Sequence, residues 1–138
     1  MNYPILHAER DFRFCENLKK ELAFFDEFEF VDQCCYLDAA LQSLQKFQPA
    51  ILLTASKLCD ETKVVEAFTE FRKANMPNLK IIVLTSKDDT DHFLNSVVAG
   101  VEGYISKSCT TAEVYKCIKN VMNGDNYLGI QNQSVKHK

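Results

Sequence analysis

A chain of 138 residues, 46% of them hydrophobic, is long enough to bury one core and too short to demand a second, so a single domain is expected. The formal net charge of -3 and a pI near 5.6 lack the basic footprint on which nucleic-acid binding relies, and the basic residues are scattered. No apolar run approaches the ~20 residues that span a bilayer, and the opening MNYPILHAER has neither the basic nor the apolar region of a signal peptide, so a cytoplasmic chain without membrane contact is expected.

Tyr3 to Ala8 reads as a first strand, and Phe14, Leu18, Leu22 and Phe25 mark one face of a helix starting near Asp11. Asp26 and Glu27 break that pattern. Phe28, Phe30 and Val31 alternate in part, as an edge or near-edge strand does. Leu37, Leu41 and Leu44 space a second helix, and Pro49 closes the loop after it. Ala50 to Thr54 is apolar on both faces and belongs in the middle of a sheet. Asp60 or Thr62 is placed to cap a third helix, with Val64, Ala67, Phe68 and Phe71 inside.

Beyond Pro77, Ile81 to Leu84 is another strand buried on both faces, ending in Thr85 and Ser86. Thr90 or Asp91 is placed to cap a fourth helix, where Phe93, Leu94, Val97 and Val98 share one face and Gly100 supplies the end. Gly103 to Ser106 is a short strand with Lys107 at its tip. Thr110 and Glu113 form a capping box for a fifth helix, with Val114, Cys117, Ile118 and Val121 inside and Gly124 just past its end. The final QNQSVKHK is polar and aperiodic, so the domain is drawn over residues 1–128, with 129–138 as a flexible tail or the start of a linker to an effector domain.

Strands alternating with helices in this way predict an α/β architecture with a doubly wound, five-stranded parallel sheet. Right-handed crossovers then bring Thr85 and Lys107 to the same carboxyl edge, where such sheets place their ligands. Of the six cysteines, none pairs in a C-x-x-C, which favours reduced thiols over a zinc site. Cys15 and Cys117 fit helix faces as small core residues, Cys34 and Cys35 follow a strand, and Cys59 and Cys109 fall in loops at that edge.

The stretch from Leu79 to Lys107, LKIIVLTSKDDTDHFLNSVVAGVEGYISK, resembles the final third of a response-regulator receiver domain. The resemblance rests on a strand ending in Leu-Thr-Ser, an Ala-Gly helix end and the run Gly-Tyr-Ile-Ser-Lys. It is closest in kind to the subfamily that precedes LuxR-type (NarL-type) DNA-binding domains. The resemblance implies a flavodoxin-like, CheY-like (βα)5 fold with strand order 2-1-3-4-5 and a part in two-component signalling and transcriptional regulation. On that pattern Thr85 matches the switch hydroxyl, Tyr104 the switch aromatic and Lys107 the invariant lysine. Glu9 and Arg10 fall at the positions of the paired acids, and Ala55 falls at the position of the phosphoacceptor aspartate.

A working receiver gathers carboxylates to hold Mg2+ and uses one of them to attack a phosphoryl donor. Here one acid position is a cation, and alanine offers no nucleophile. Thr54, Ser56 and Lys57 are not carboxylates either, and Asp60 lies well past the strand tip. The expectation is a degenerate pseudo-receiver without metal or cofactor, in which Lys107 and Arg10 pair with Glu9 where the metal would sit. It is not expected to be an enzyme, since no glycine-rich phosphate loop or nucleophile elbow occurs and His7, His92 and His137 are isolated.

The function expected is phosphorylation-independent signalling by docking, to a second copy, a signalling protein or an effector domain. The expected surface is the fourth helix, fifth strand and fifth helix, with the first helix as rival, and no direct contact with nucleic acid. The alternative is a ligand or redox sensor at the sheet edge, where Lys107 and Arg10 would lower the thiol pKa of Cys59 or Cys109.

Overall fold

The computed structural model describes residues 3–86 and 90–128, leaving aside the side chains of 90 and 91. In chain order the elements are β1 (Tyr3–Ala8), α1 (Phe12–Leu22), β2 (Phe28–Cys34), α2 (Leu37–Phe47), β3 (Ile51–Thr54), α3 (Val64–Asn75), β4 (Lys80–Thr85), α4 (Thr90–Ala99), β5 (Gly103–Ser106), α5 (Thr111–Met122) and β6 (Tyr127–Leu128). All strand pairs are parallel, and successive side chains along each strand point to opposite faces. Leu6, Leu52, Ile81, Val83 and Tyr104 therefore meet Leu44 of α2 and Phe68 of α3 on one side. Ile5, Leu53, Ile82, Leu84 and Ile105 meet Leu18 and Leu22 of α1 and Val114 and Ile118 of α5 on the other.

The strand order is 2-1-3-4-5-6, six strands where the sequence predicted five. The added strand comes from the segment after α5. Gly124, at φ +95°, turns the chain back, and Tyr127 N–H donates to Glu102 C=O at 2.8 Å. Two residues are too short for any periodicity to declare them a strand, and only the exposed edge of β5 makes them one. The expected tail, residues 129–138 with His137, lies outside the described residues.

Local signals set most helix ends. Asp11 caps α1 by accepting from Phe14 N–H at 3.1 Å, and Thr110 caps α5 by accepting from Glu113 N–H at 3.2 Å. Gly100, at φ +92°, ends α4 as expected. Phe25 is not on α1: the helix stops at Leu22, a 3-10 turn covers Ala23–Phe25, and Asp26 closes it in the left-handed region. Asp60 and Thr62 do not cap α3 either. The loop folds back so that Asp60 Oδ1 accepts from Leu37 N–H at 3.0 Å, answering a donor orphaned at the start of α2. Thr90 and Asp91, expected as caps of α4, have side chains outside the described residues.

The face of α4 is also corrected. Leu94, Val97 and Val98 do share a face, but it points outward: Leu94 is 52% and Val98 88% exposed. The helix turns Phe93, Ser96 and Ala99 inward instead. Spacing defines an apolar stripe, whereas docking against β5 and α3 decides which stripe is covered. Arg72 of α3 fixes that corner. Its guanidinium reaches both Glu102 oxygens at 2.8 and 2.9 Å and the Gly100 carbonyl at 2.9 Å.

A histidine lies buried in the sheet. His7 of β1 is buried beside Phe14 and Phe30, and neither ring nitrogen has a hydrogen-bond partner among the described residues. Desolvation, then the charge of Lys107, pushes its pKa from the usual 6.5 down to about 4. The unfolded chain therefore takes up this proton first. Stability that is complete above pH 6.5 should decline as pH falls toward 4, by about 2–3 kcal/mol. His7→Leu should flatten the pH dependence of urea unfolding in that window by this amount; an unchanged profile would show that the folded chain binds this proton as readily as the unfolded one.

Candidate functional site

Parallel pairing aligns the strand tips, so the residues just beyond them converge. Ala8 pairs with Thr54, and Thr85 with Ser106. Two backbone bonds extend this alignment past the strands: Ala55 N–H to Ala8 C=O at 2.9 Å, and Lys107 N–H to Thr85 C=O at 2.8 Å. Glu9, Ala55, Thr85 and Lys107 are thereby gathered around a pocket of about 210 Å3, with Arg10, Ser56, Lys57, Ser86 and His92 also on its walls. Thr54 is buried behind it, its hydroxyl donating to the Ala55 carbonyl at 2.9 Å.

The centre of the pocket is an ion pair. Lys107 Nζ lies 2.7 Å from Glu9 Oε1, and the Glu9 side chain is only 1% exposed. That oxygen makes no well-aligned hydrogen bond, so charge holds this contact. The other oxygen, Oε2, accepts from Asp11 N–H at 2.9 Å. Lys107 also stands 4.7 Å from the centroid of the Phe14 ring, whose π-face favours a cation. Arg10 does not join the pair. It lines the pocket as an exposed cation, without an ion-pair partner among the described residues.

Tyr104 is fully buried below the pocket, its hydroxyl 2.7 Å from His92 Nδ1, and Phe93 meets its ring edge-on at 5.1 Å. His92, isolated in the sequence, is thus a partner of Tyr104. Nothing in the sequence announces this bond, because α4 must first be laid against β5. Lys57 and Ser86 were likewise not singled out as pocket residues, and only loop conformation brings them there.

The two cysteines expected at this edge are separated. Cys109 lies with Lys107 in a groove between α1 and α5, beside Phe14, Leu18 and Val114. Burial, then Glu113, pushes its thiol pKa up to about 11. Cys59 lies against Cys35, and desolvation followed by the Cys35 hydrogen bond raises its pKa as well. Neither thiol is lowered, which corrects the expectation drawn from neighbouring cations. Cys15 and Cys117 are core residues as expected, with thiols pushed to about 12 chiefly by desolvation.

A parallel α/β sheet with its polar pocket at the carboxyl ends, a buried acid, a lysine and a threonine around it, defines a domain of the doubly wound class. The chain belongs to the response regulator receiver domain family of two-component signalling, whose family pattern matches residues 5–119. Among curated relatives it is 29% identical over 114 residues to the oxygen regulatory protein NreC of Staphylococcus carnosus, covering 78% of this chain and 49% of that protein. It is 25% identical over 113 residues to the transcriptional regulatory protein MctR of Rhizobium johnstonii, covering 82% and 52%. The chain thus spans about half the length of these relatives.

In fold it is similar to a LuxR-family two-component response regulator from Aurantimonas sp. SI85-9A1, with a TM-score of 0.85 at 18% identity over 98% of this chain and 99% of the other. It is also similar to the isolated receiver domain of RcsB from Salmonella enterica, with a TM-score of 0.80 at 18% identity over 93% and 94%. No helix among the described residues is long and apolar enough to cross a membrane.

The Mg2+ that receiver chemistry employs does not fit the residues described here. Glu9 is the one carboxylate among the described pocket residues, and its oxygens already meet Lys107 and the Asp11 amide. Ala55 supplies no ligand atom, while Arg10 and Lys57 bring charge of the wrong sign.

Lys107→Ala would leave the buried Glu9 carboxylate without its cation, and should cost about 3 kcal/mol in urea unfolding. Adding Glu9→Gln to that variant should recover much of the loss. A Lys107→Ala protein as stable as the parent would mean that water, not the pair, satisfies Glu9.

Proposed function

We propose that this chain is the receiver portion of a LuxR/NarL-type transcriptional regulator that signals without aspartyl phosphate. The observation that carries this reading is Ala55. It directly follows β3 and lines the pocket opposite Thr85 and Lys107, the position at which the receiver pattern calls for the phosphoacceptor aspartate. A methyl group there cannot attack a phosphoryl donor. Glu9, which would share in holding the metal, is committed to Lys107 instead. The lysine that elsewhere stabilises a transferred phosphoryl group has become a structural cation.

With no phosphate to select between two states, the domain holds one arrangement, fixed by the Glu9 pair and by the Tyr104 bond to His92. Its output is then constitutive docking. The partner is a second copy, through α4. Leu94, Val97 and Val98 are exposed together there, and an apolar stripe on a two-fold axis covers its own mate. The fold neighbour RcsB is described as dimers bound to DNA. The α5 part of this surface is less free to contribute, because Lys119 is tied to Glu27 at 3.0 Å. DNA contact falls to whatever effector domain the full regulator carries.

Acetyl phosphate with Mg2+ should add no phosphoryl mass to the intact protein. Stoichiometric, Mg2+-dependent labelling in the mass spectrum would overturn the reading of Ala55. For docking, Leu94→Glu with Val98→Glu should shift sedimentation from dimer to monomer, whereas Lys19→Glu with Lys20→Glu on α1 should not. A shift produced by the α1 pair alone would move the interface to α1.

A further inference from the structure

The β2–α2 and β3–α3 loops are bound to each other at two consecutive points. Cys59 N–H donates to Cys35 C=O at 2.9 Å, and Asp60 Oδ1 accepts from Leu37 N–H at 3.0 Å. A tight turn, in which Leu58 N–H donates to Glu61 C=O at 2.9 Å, holds the second loop in this position. A backbone hydrogen bond joining Cys35 and Cys59 themselves sets the two residues side by side, the proximity a disulfide requires. The two thiols are also close enough for Cys35 to raise the Cys59 pKa. Cys59 is exposed and Cys35 half-buried, so an oxidant in solution reaches the pair.

The other four cysteines have no such arrangement. Cys15, Cys34 and Cys117 are buried, and Cys109 sits in the groove between α1 and α5. Cys34 adjoins Cys35 in sequence, but its thiol turns to Ser43 and Asp32, at 3.5 and 3.6 Å.

We infer that Cys35 and Cys59 are a disulfide site, oxidised by hydrogen peroxide to an intramolecular bond that clamps the β3–α3 loop to the start of α2. The thiolate of one cysteine attacks the peroxide O–O bond, giving a sulfenic acid and, after protonation, one water. The thiol of the other then attacks the sulfenic sulfur: the S–S bond forms, the S–O bond breaks and a second water leaves. Two electrons pass from the pair of sulfurs to one peroxide, and reduction by a dithiol reverses the change.

The loop so clamped carries Ala55, Ser56 and Lys57, which line the pocket. Formation of the bond stands on the loop geometry alone. Its consequence, a covalent two-state input for a receiver without a phosphoacceptor, rests on the reading of Ala55 above. The two fail separately, since labelling by acetyl phosphate tests one and thiol chemistry the other.

The reduced full chain, treated with hydrogen peroxide and then alkylated, should become about 2 Da lighter before alkylation and retain about four of its six free thiols. Non-reducing peptide mapping should find Cys35 joined to Cys59, dithiothreitol should restore all six thiols, and the oxidised form should melt higher than the reduced one. Cys35→Ser and Cys59→Ser should each abolish the mass loss while keeping the parent's circular dichroism, and Cys34→Ser and Cys109→Ser should retain it. Oxygen addition without a cross-link, a Cys34–Cys59 bond, or a bond only between chains would each overturn the inference, and each is read on the unmutated protein.

Discussion

A carboxylate enclosed by the sheet has to be answered by a cation, and at the end of β1 the answer comes from the tip of β5. Glu9 and Lys107 are far apart in the chain and 2.7 Å apart in space. That contact requires both strands to point the same way and their tips to sit at one edge, which right-handed crossovers guarantee. The rest of the pocket is arranged around it. Lys107 is steered by the Thr85 carbonyl behind it and the Phe14 ring beside it. The same positive charge also helps to keep the buried His7 neutral. A lysine in this place therefore has structural work to do whether or not phosphate ever arrives.

The second polar anchor, Arg72 with Glu102, does for the α3–α4–β5 corner what Lys107 does for the strand tips. Glu102 accepts from Arg72 and from the Ile81 amide at 2.9 Å, so one carboxylate joins a helix, a strand end and the loop entering β5. Nη1 spanning both Glu102 oxygens while Nη2 holds the Gly100 carbonyl fixes orientation as well as distance. Arg72 pins the end of α4 through the Gly100 carbonyl. With α4 held there, Ser96 is buried and Phe93 half-buried, while Leu94, Val97 and Val98 stand in solvent. An apolar stripe left uncovered next to a fully buried, hydrogen-bonded tyrosine joins the interior of the domain to its docking face through a single helix.

The loops beyond β2 and β3 show a different economy. Asp60 serves the start of α2 rather than its own helix, and Glu61 turns inward to the Thr62 and Lys63 amides at 2.9 and 3.0 Å. The β3–α3 loop thus directs its polar side chains to backbone donors at the starts of two helices. The pairing of Cys35 with Cys59 is a by-product of that stitching. It lies beside the pocket rather than in it.

Much of this was legible in the sequence. The doubly buried runs Ile51–Thr54 and Ile81–Leu84 declared central parallel strands because burial on both faces demands continuous apolar residues. Gly100 and Thr110 marked helix ends through their own local chemistry. Thr85, Tyr104 and Lys107 could be placed because their spacing resembles a family pattern, and Ala55 stood out against it. What the sequence could not decide were contacts made only after elements meet. Periodicity shows that Leu94, Val97 and Val98 share a stripe, but not that packing leaves it bare. Residue type offers Asp60 as a cap without saying for which helix, and puts Arg10 and Lys107 equally near Glu9, although only the lysine reaches it. Tyr127 and Leu128 become a strand solely because β5 presents an open edge. Local patterns are written within a few residues, whereas facing, pairing and partner choice depend on where the rest of the chain has been laid, and those the tertiary structure decided.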